Sequence, residues 1–481
     1  MINQVGVILQ YEVVIGLEVH AQLKTNTKIF CGCATSFGDA ANSHGCPVCL
    51  GLPGALPVMN KAARDMAVLA GKATHCSIRE HSIFARKNYF YADLPKGYQI
   101  SQYEEPICEG GYLDISLPSG PKRLGITRIH LEEDAGKLIH DKDVDSLFDV
   151  NRCGTPLIEI VSEPDMRSSR EAYLYLVQLK KILEYLDICD CNMEEGSFRC
   201  DANISLRPQG QKELGTKTEL KNMNSFRNVE KAIEYEIARQ KDILIRGGEV
   251  VQQTLLWDAA QKITKTMRTK EDAHDYRYFP DPDLAPVVIT AEEIAEIEKS
   301  LPELPREKES RFAREYELDE DAVQVLTESI SLADYFEEVV SQTQDIKKSA
   351  GWIMSEILRL RKERGVPLEE LHVTPTVLAD IIMMVRDGKI SASAGKRVLN
   401  EVEESGESPA AVVDRLGLVQ ISDSSELAGI VDTIFAENPR EVERLQAGEK
   451  KLISFFMGQV MKATRGKANP GEVTKIISAK L

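Results

Sequence analysis

The chain has 481 residues, of which 43% are hydrophobic and 28% charged, with a net charge of −17. That length calls for about three domains, and the composition is that of an ordinary globular protein. The acidic balance excludes a surface that attracts polyanions throughout, and no apolar run is long enough to span a bilayer.

Met1–Gln10 lacks the basic start and cleavage site of a signal peptide, so the expected location is the cytosol. The next 280 residues alternate short β-type runs with Gly, Pro and Asn turns. In VVIGLEVHAQL (Val13–Leu23), Glu18 and His20 share one face of a strand, and Leu17 and Val19 take the other. A carboxylate beside an imidazole fits Mg²⁺ or another divalent ion. FCGCATSFGDAANSHGCPVCLG follows, with Cys31, Cys33, Cys46 and Cys49 in a C-x-C…C-x-x-C pattern. Turns at Gly32, Gly45 and Pro47 let the two thiol pairs converge tetrahedrally on a closed, structural zinc. Four thiols make His44 unnecessary as a ligand. All ten cysteines lie between Cys31 and Cys200, a clustering that in a cytosolic chain favours metal or free thiols over disulfides. Cys189, Cys191 and Cys200 read as ordinary thiols.

RKNYFYADLPKGYQISQ (Arg86–Gln102) packs Arg86, Lys87 and Lys96 with Tyr89, Phe90, Tyr91 and Tyr98. Aromatic faces with cations suit a nucleotide base, a ribose or an acceptor end. In IHLEEDAGK, Glu132 and Glu133 point to opposite faces, so only one can join Glu18 and His20 unless a bulge intervenes. Glu159 in PLIEIVSEP lies on the face of Leu157 and Val161, and Asp201 and Glu219 interrupt strands in the same way. One strand Glu is usually solvated. Several together, with no matching excess of basic residues beside them, call for a cation as counter-charge. DYRYFPDPDL (Asp275–Leu284) repeats the aromatic character on an irregular, exposed path set by its prolines.

Asp65–Gly71, Arg170–Leu186 and Val229–Arg246 read as helices, giving an α+β domain built on an antiparallel sheet. After Pro286 the pattern turns helical, over Ala291–Leu301, Ala333–Gln342, Ser349–Arg364, Thr376–Asp387 and Ala392–Glu404. Pro302 and Pro305 break the first of these and Gly365 ends the third. Glu403–Ser408 reads as a hinge, which divides the chain into residues 1–290, 291–405 and 406–481. The last part ends in a basic tail containing Lys462, Arg465 and Lys467, with one acid, Glu472, between Lys450 and Leu481. The sequence holds no P-loop, Rossmann glycine fingerprint, G-x-S-x-G or H-E-x-x-H motif. Any use of ATP therefore rests on metal and on Lys and Arg.

Together IGLEVHAQL, RKNYFY-DLPKGYQISQ, HLEEDAGK, NR-GTPLIEIVSEPD, EEGS-RCDANIS, ELKN-NSF and DYRYFPDPDL resemble the B-subunit family of the tRNA-dependent amidotransferase. GWIMSEIL, DGKISASAGKRVL and GQVMKATRGKANP extend the likeness across residues 11–481. The resemblance implies an antiparallel-sheet cradle domain with kinase and transamidase chemistry, then a helical domain and a small tail domain that contact tRNA(Gln) or tRNA(Asn). It implies ATP and Mg²⁺ as cofactors, with phosphorylation of the side-chain carboxylate of Glu-tRNA(Gln) or Asp-tRNA(Asn) and amidation by ammonia. A separate amidase A subunit would release that ammonia from glutamine, and a small C subunit would complete a heterotrimer.

Carried onto this chain, the resemblance gives a metal site of Glu18, His20, Glu133 and Glu219, with Glu132, Glu159 and Asp201 as further members. Glu18, His20, Glu133, Lys87 and Lys96 would be catalytic, Tyr91 and Tyr98 would face the substrate, and Lys462, Arg465 and Lys467 would bind tRNA. Two other readings compete: a stand-alone zinc or magnesium hydrolase, and a non-catalytic tRNA-binding scaffold. The closed cysteine quartet and the missing H-E-x-x-H motif argue against a zinc hydrolase.

Overall fold

The computed structural model describes residues 10–139, 145–269, 275–421, 423–464 and 466–480. Arg465 and all of Met1–Gln10 but its last residue lie outside the described residues. The chain forms two compact units, Met1–Pro305 and Arg306–Leu481.

The first unit is organised by alternation in one long strand, β1 (Tyr11–Gln22). Ile15, Leu17, Val19 and Ala21 are buried in an apolar core, while Glu18 and His20 stay half-buried on the other face. Four more strands repeat this division: β2 (Gly120–Glu133), β3 (Pro156–Ser162), β4 (Phe198–Pro208) and β5 (Thr218–Lys221). They pair antiparallel in the order β5–β4–β1–β3–β2, at the centre of a ten-stranded sheet among the described residues. Gln253–Asp258 joins the far side of β5 in parallel. Ile129, Leu131, Ile158, Ile160, Cys200, Ala202, Ile204 and Leu220 line the same core as the odd residues of β1.

Helices cover that apolar face. They are α1 (Lys61–Ala73), α2 (Ser169–Tyr185) and α3 (Phe226–Ile245). In α2 the helical spacing of Leu176, Leu179 and Leu183 buries all three. Asn60, Ser168 and Ser225 cap the three helices through their side-chain oxygens.

The first unit runs past residue 290 because the helix Ala291–Glu298 and the loop after it lay Ile294, Ile297, Leu301 and Leu304 against the first core. The second unit is helical and holds two cores. One gathers Phe312, Phe336, Ile353, Leu378 and Val398; the other gathers Leu427, Val431, Phe456, Val460 and Val473. Val412 and Val413 belong to the earlier core, so the expected hinge at Glu403–Ser408 is a turn inside one packed body. Gly406 ends one helix at φ 69° and Pro409 begins the next. The expected helix Ser349–Arg364 contains a π turn at Ile353–Ile357, and Gly365 closes it in the left-handed region at φ 66°.

Ile160, fully buried at the centre of the sheet, provides a test of this packing. Ile160→Ala is expected to cost the first unit about 2–5 kcal/mol, read as a lower urea midpoint.

Candidate active site and metal centres

Cross-strand register decides which acids meet. Glu18 lies opposite Asp201, and Asn203 lies opposite Glu219. Directly paired residues share a face, so Glu18, Asp201 and Glu219 converge, with ligand oxygens within 4.8 Å of one another. Two residues along β1, His20 lies opposite Glu159, and Glu159 lies opposite His130 on β2. His20, Glu159 and Glu132 form a second group of the same size. His20 Nε2 is 3.5 Å from Glu132 Oε1 and 3.4 Å from Glu159 Oε2. Around a hard cation with bonds of about 2.1 Å, ligand atoms stand about 3 Å apart along an octahedral edge, so a small contraction closes the group on an ion. Both donor sets are oxygen-rich and offer three ligands, fewer than a hard cation takes; Glu18, Asp201, Glu219 and His20 are half-buried, and Glu132 and Glu159 are buried.

The charges of the two groups perturb one another. Burial raises the Glu18 carboxyl above its ordinary value, and Glu159, Asp201 and Glu219 push it further. Burial also opposes the charge on Glu159, yet His130 at 3.3 Å and His20 hold it well below the usual carboxylate range. For His20, burial disfavours the imidazolium, but the Glu159 hydrogen bond and the charges of Glu159 and Glu132 lift its pKa to about 9.

The expected single site around Glu18, His20, Glu133 and Glu219 is therefore split in two, and Glu133 joins neither group. Glu133 is one residue past Glu132, so its side chain takes the opposite face. There it pairs with Lys96 and accepts the Ile100 N–H at 2.8 Å. The acids also have basic neighbours that the sequence reading missed. Lys221 bridges Asp201 and Glu219. Arg199 lies opposite His20, with one guanidinium nitrogen 3.0 Å from Asp134. Burial opposes the charge on Lys87, but Glu132 above all holds it on, and its ammonium lies 4.9 Å from the Tyr276 ring centre. Lys221, Arg199 and His130 each stand two residues from a named acid, so strand alternation alone could have found them. Asn203 donates to Glu18 at 2.9 Å and Thr254 to Glu219 at 2.7 Å.

On the Glu133 side lies a cavity of about 430 Å³ whose walls include Arg86, Lys96, Tyr98, Glu133, Lys28 and Cys49. The Arg86 guanidinium covers the Tyr98 ring at 4.3 Å and bonds Asp281 at 3.0 Å and Asp283 at 2.7 Å. DYRYFPDPDL is largely exposed, as its prolines implied, and is anchored where Phe279–Pro280 pairs with Ala85–Arg86 and Asp281 is buried. Tyr91 is 56% exposed and stands outside the cavity lining. In the second unit, Lys462 and Lys467 are exposed, while Lys475 pairs with Glu472 and Lys480 with Asp432.

The four cysteines converge as the spacing requires, with all four sulfurs within 4.8 Å of one another. Cys46 and Cys49 sulfurs are 3.8 Å apart, which matches the tetrahedral edge of about 3.8 Å for zinc–sulfur bonds of about 2.3 Å. The Cys46 N–H donates to Cys49 Sγ at 3.1 Å. The Cys31 hydrogen bond, with help from the Cys46 N–H and Lys28, brings the Cys49 thiol down to about 4. His44 is turned away, with its Nε2 on Asp39 at 3.1 Å.

Two oxygen-rich donor groups flanked by Lys and Arg, if they held divalent cations, would suit an enzyme that moves phosphoryl groups. Comparisons with known proteins identify the family. Residues 13–295 match the GatB/GatE catalytic domain family and residues 334–481 match the GatB domain family. The B subunit of the aspartyl/glutamyl-tRNA(Asn/Gln) amidotransferase from Desulfotalea psychrophila is 55% identical over 475 residues, covering 98% of this chain and 100% of that protein. The protein of the same name from Oleidesulfovibrio alaskensis is 54% identical over 473 residues, covering 98% and 99%. The chain belongs to the family of B subunits of the aspartyl/glutamyl-tRNA(Asn/Gln) amidotransferase.

A metal ion at His20 would have to compete with a proton. The imidazole is charged below about 9 and must lose its proton to ligate. Mn²⁺ affinity at this group is expected to rise with pH from 6.5 to 9, by up to about tenfold per unit, with proton release on binding. Titration calorimetry in buffers of different ionisation enthalpy measures both.

Proposed function

We propose that this chain, as the B subunit of a tRNA-dependent amidotransferase, carries the activation and amidation steps on the polar face of its sheet. The substrate is a tRNA mischarged with Glu or Asp. A carboxylate is a poor electrophile because its own charge repels a nucleophile. An oxygen of the side-chain carboxylate attacks the γ-phosphorus of ATP, ADP departs, and an acyl phosphate remains. Ammonia then attacks the acyl carbon, inorganic phosphate leaves, and the nitrogen loses a proton to give the amide.

The observation that carries this reading is the pair of three-ligand groups on one sheet face, Glu18/Asp201/Glu219 and His20/Glu132/Glu159. Divalent ions held there, with Mg²⁺ the natural choice for oxygen donors and phosphate, would neutralise charge on the transferring phosphoryl group. The residues around them supply the rest. Lys87 and Lys221 keep their ammonium charge at the edges of the two groups. Arg199 is tethered through one nitrogen to Asp134, which Gln22 also holds at 2.8 Å. Its Nε is buried with no acceptor. A guanidinium fixed in this way is preorganised to receive phosphate oxygens.

Ammonia arrives by another route. The cavity lined by Lys96, Tyr98 and Glu133 opens on the opposite side of β2 from Glu132. Neighbouring residues of one strand thus serve the two reactants: Glu132 the phosphoryl face and Glu133 the ammonia face. An amidase partner subunit would supply the ammonia from glutamine, and a small third subunit would complete the assembly. The four-cysteine group would hold a structural zinc. Lys462 and Lys467 of the second unit would bind the tRNA. The assembly would work in the cytoplasm, where charged tRNA is made and used. No helix among the described residues is long and apolar enough to cross a membrane.

Two substitutions separate the roles. With the partner subunits, Mg-ATP, Glu-tRNA(Gln) and ammonium in place of glutamine, Glu132→Gln is expected to lower ATP-dependent amide formation about 10²–10³-fold. Glu133→Gln should leave ATP cleavage near the parent rate and slow the amide step. An unchanged amide yield from Glu132→Gln would rule out the metal-face mechanism. Replacing Lys462 and Lys467 together by Glu should raise the KM for tRNA, leave kcat unchanged, and flatten the salt dependence of tRNA binding by a slope of about two.

A further inference from the structure

Lys28 is a buried lysine that the chemistry above does not use. Its side chain is 1% exposed. Its ammonium donates to the His44 carbonyl at 2.6 Å and to the Val150 carbonyl at 3.2 Å, and it lies 3.8 Å from Cys49 Sγ. Among the described residues it forms no ion pair with a carboxylate. A buried ammonium answered only by neutral carbonyls is costly, because they return only part of the lost hydration. The one anion within reach is thiolate sulfur of the cysteine group.

The chain is built to keep Lys28 there. The backbone N–H of Lys28 donates to the Cys33 carbonyl, and the next N–H, of Ile29, donates to the Gly154 carbonyl, both at 2.9 Å. Gly154 has φ +79°, and a Cβ there would meet Lys28 Cδ at 3.5 Å and Cys49 Cβ at 3.7 Å. A glycine thus supplies the left-handed turn at the point where the lysine stem passes the cysteine. Both carbonyl acceptors belong to segments that frame the cysteine group, so the ammonium ties the cysteine loop to the strand β3 side of the sheet.

We infer that Lys28 is the internal counter-cation of the four-cysteine centre, and that its positive charge, more than its packing, sets how tightly the centre retains zinc. The inference rests on the zinc reading proposed above. Four thiolates on one Zn²⁺ leave two net negative charges inside the protein, and Lys28 offsets one of them. Groups just outside the ligand shell commonly change metal affinity by about 10–100-fold. Lys28 is therefore a positioning residue for the centre.

The test compares two replacements in the full chain. Lys28→Gln keeps a hydrogen-bond donor and drops the charge, and Lys28→Arg keeps the charge. Zinc per chain is measured by mass spectrometry, and zinc loss is followed with a chromogenic chelator after folding is verified by circular dichroism. Lys28→Gln is expected to lose zinc at least about tenfold faster than the parent, with Lys28→Arg close to the parent. Equal loss from parent and Lys28→Gln overturns the inference and leaves the zinc reading standing. Fast loss from both variants also overturns it, because packing then matters and charge does not. A parent chain with reduced thiols and no zinc sinks the zinc reading and this inference together. If Lys28→Gln does not fold, Lys28→Met, which keeps the stem, takes its place with the same expected result.

Discussion

Five carboxylates on one face of one sheet cannot stay ionised together without positive charge among them. The rest of the first unit follows from that constraint. The pleat sends every second residue of β1, β2, β3, β4 and β5 to the same side, and the register brings Glu18, Glu132, Glu159, Asp201 and Glu219 into two groups. The opposite side is largely apolar and is covered by three helices, which holds the strands in register. A slip of one residue would bury the acids and expose the core, so the same hydrophobic burial that stabilises the sheet also fixes the site.

The counter-charge comes in two forms. Part is built in: Lys221, Lys87, Arg199 and the imidazole of His20 sit among the acids. On the proposed function, exchangeable divalent cations would supply the remainder. Divalent ions held there, as proposed, would add to the stability of the face. On the zinc reading, the cysteine centre would follow the same logic, with an excess of thiolate charge met by one buried lysine.

Much of this was legible in the sequence because strand alternation is a local rule. It assigned Glu18 and His20 to one face, predicted that Glu132 and Glu133 would part, and placed Glu159 beside Leu157. Cysteine spacing likewise announced the quartet before any coordinates. What alternation cannot supply is register. Nothing local says that Glu18 pairs with Asp201 while His20 pairs with Glu159, so the two groups read as one. Nor does it say which of Glu132 and Glu133 faces His20, since both are equally acidic. The hinge at Glu403–Ser408 misled for a related reason: composition marks a turn, and only long-range packing of Val412 and Val413 shows that the core continues through it.

The most direct test of the account is anomalous X-ray diffraction from crystals of the assembled enzyme soaked in Mn²⁺. The account predicts two peaks on the polar sheet face, one within bonding distance of His20, Glu132 and Glu159 and the other of Glu18, Asp201 and Glu219. A single ion ligated by Glu133, or no ion on that face, would contradict it.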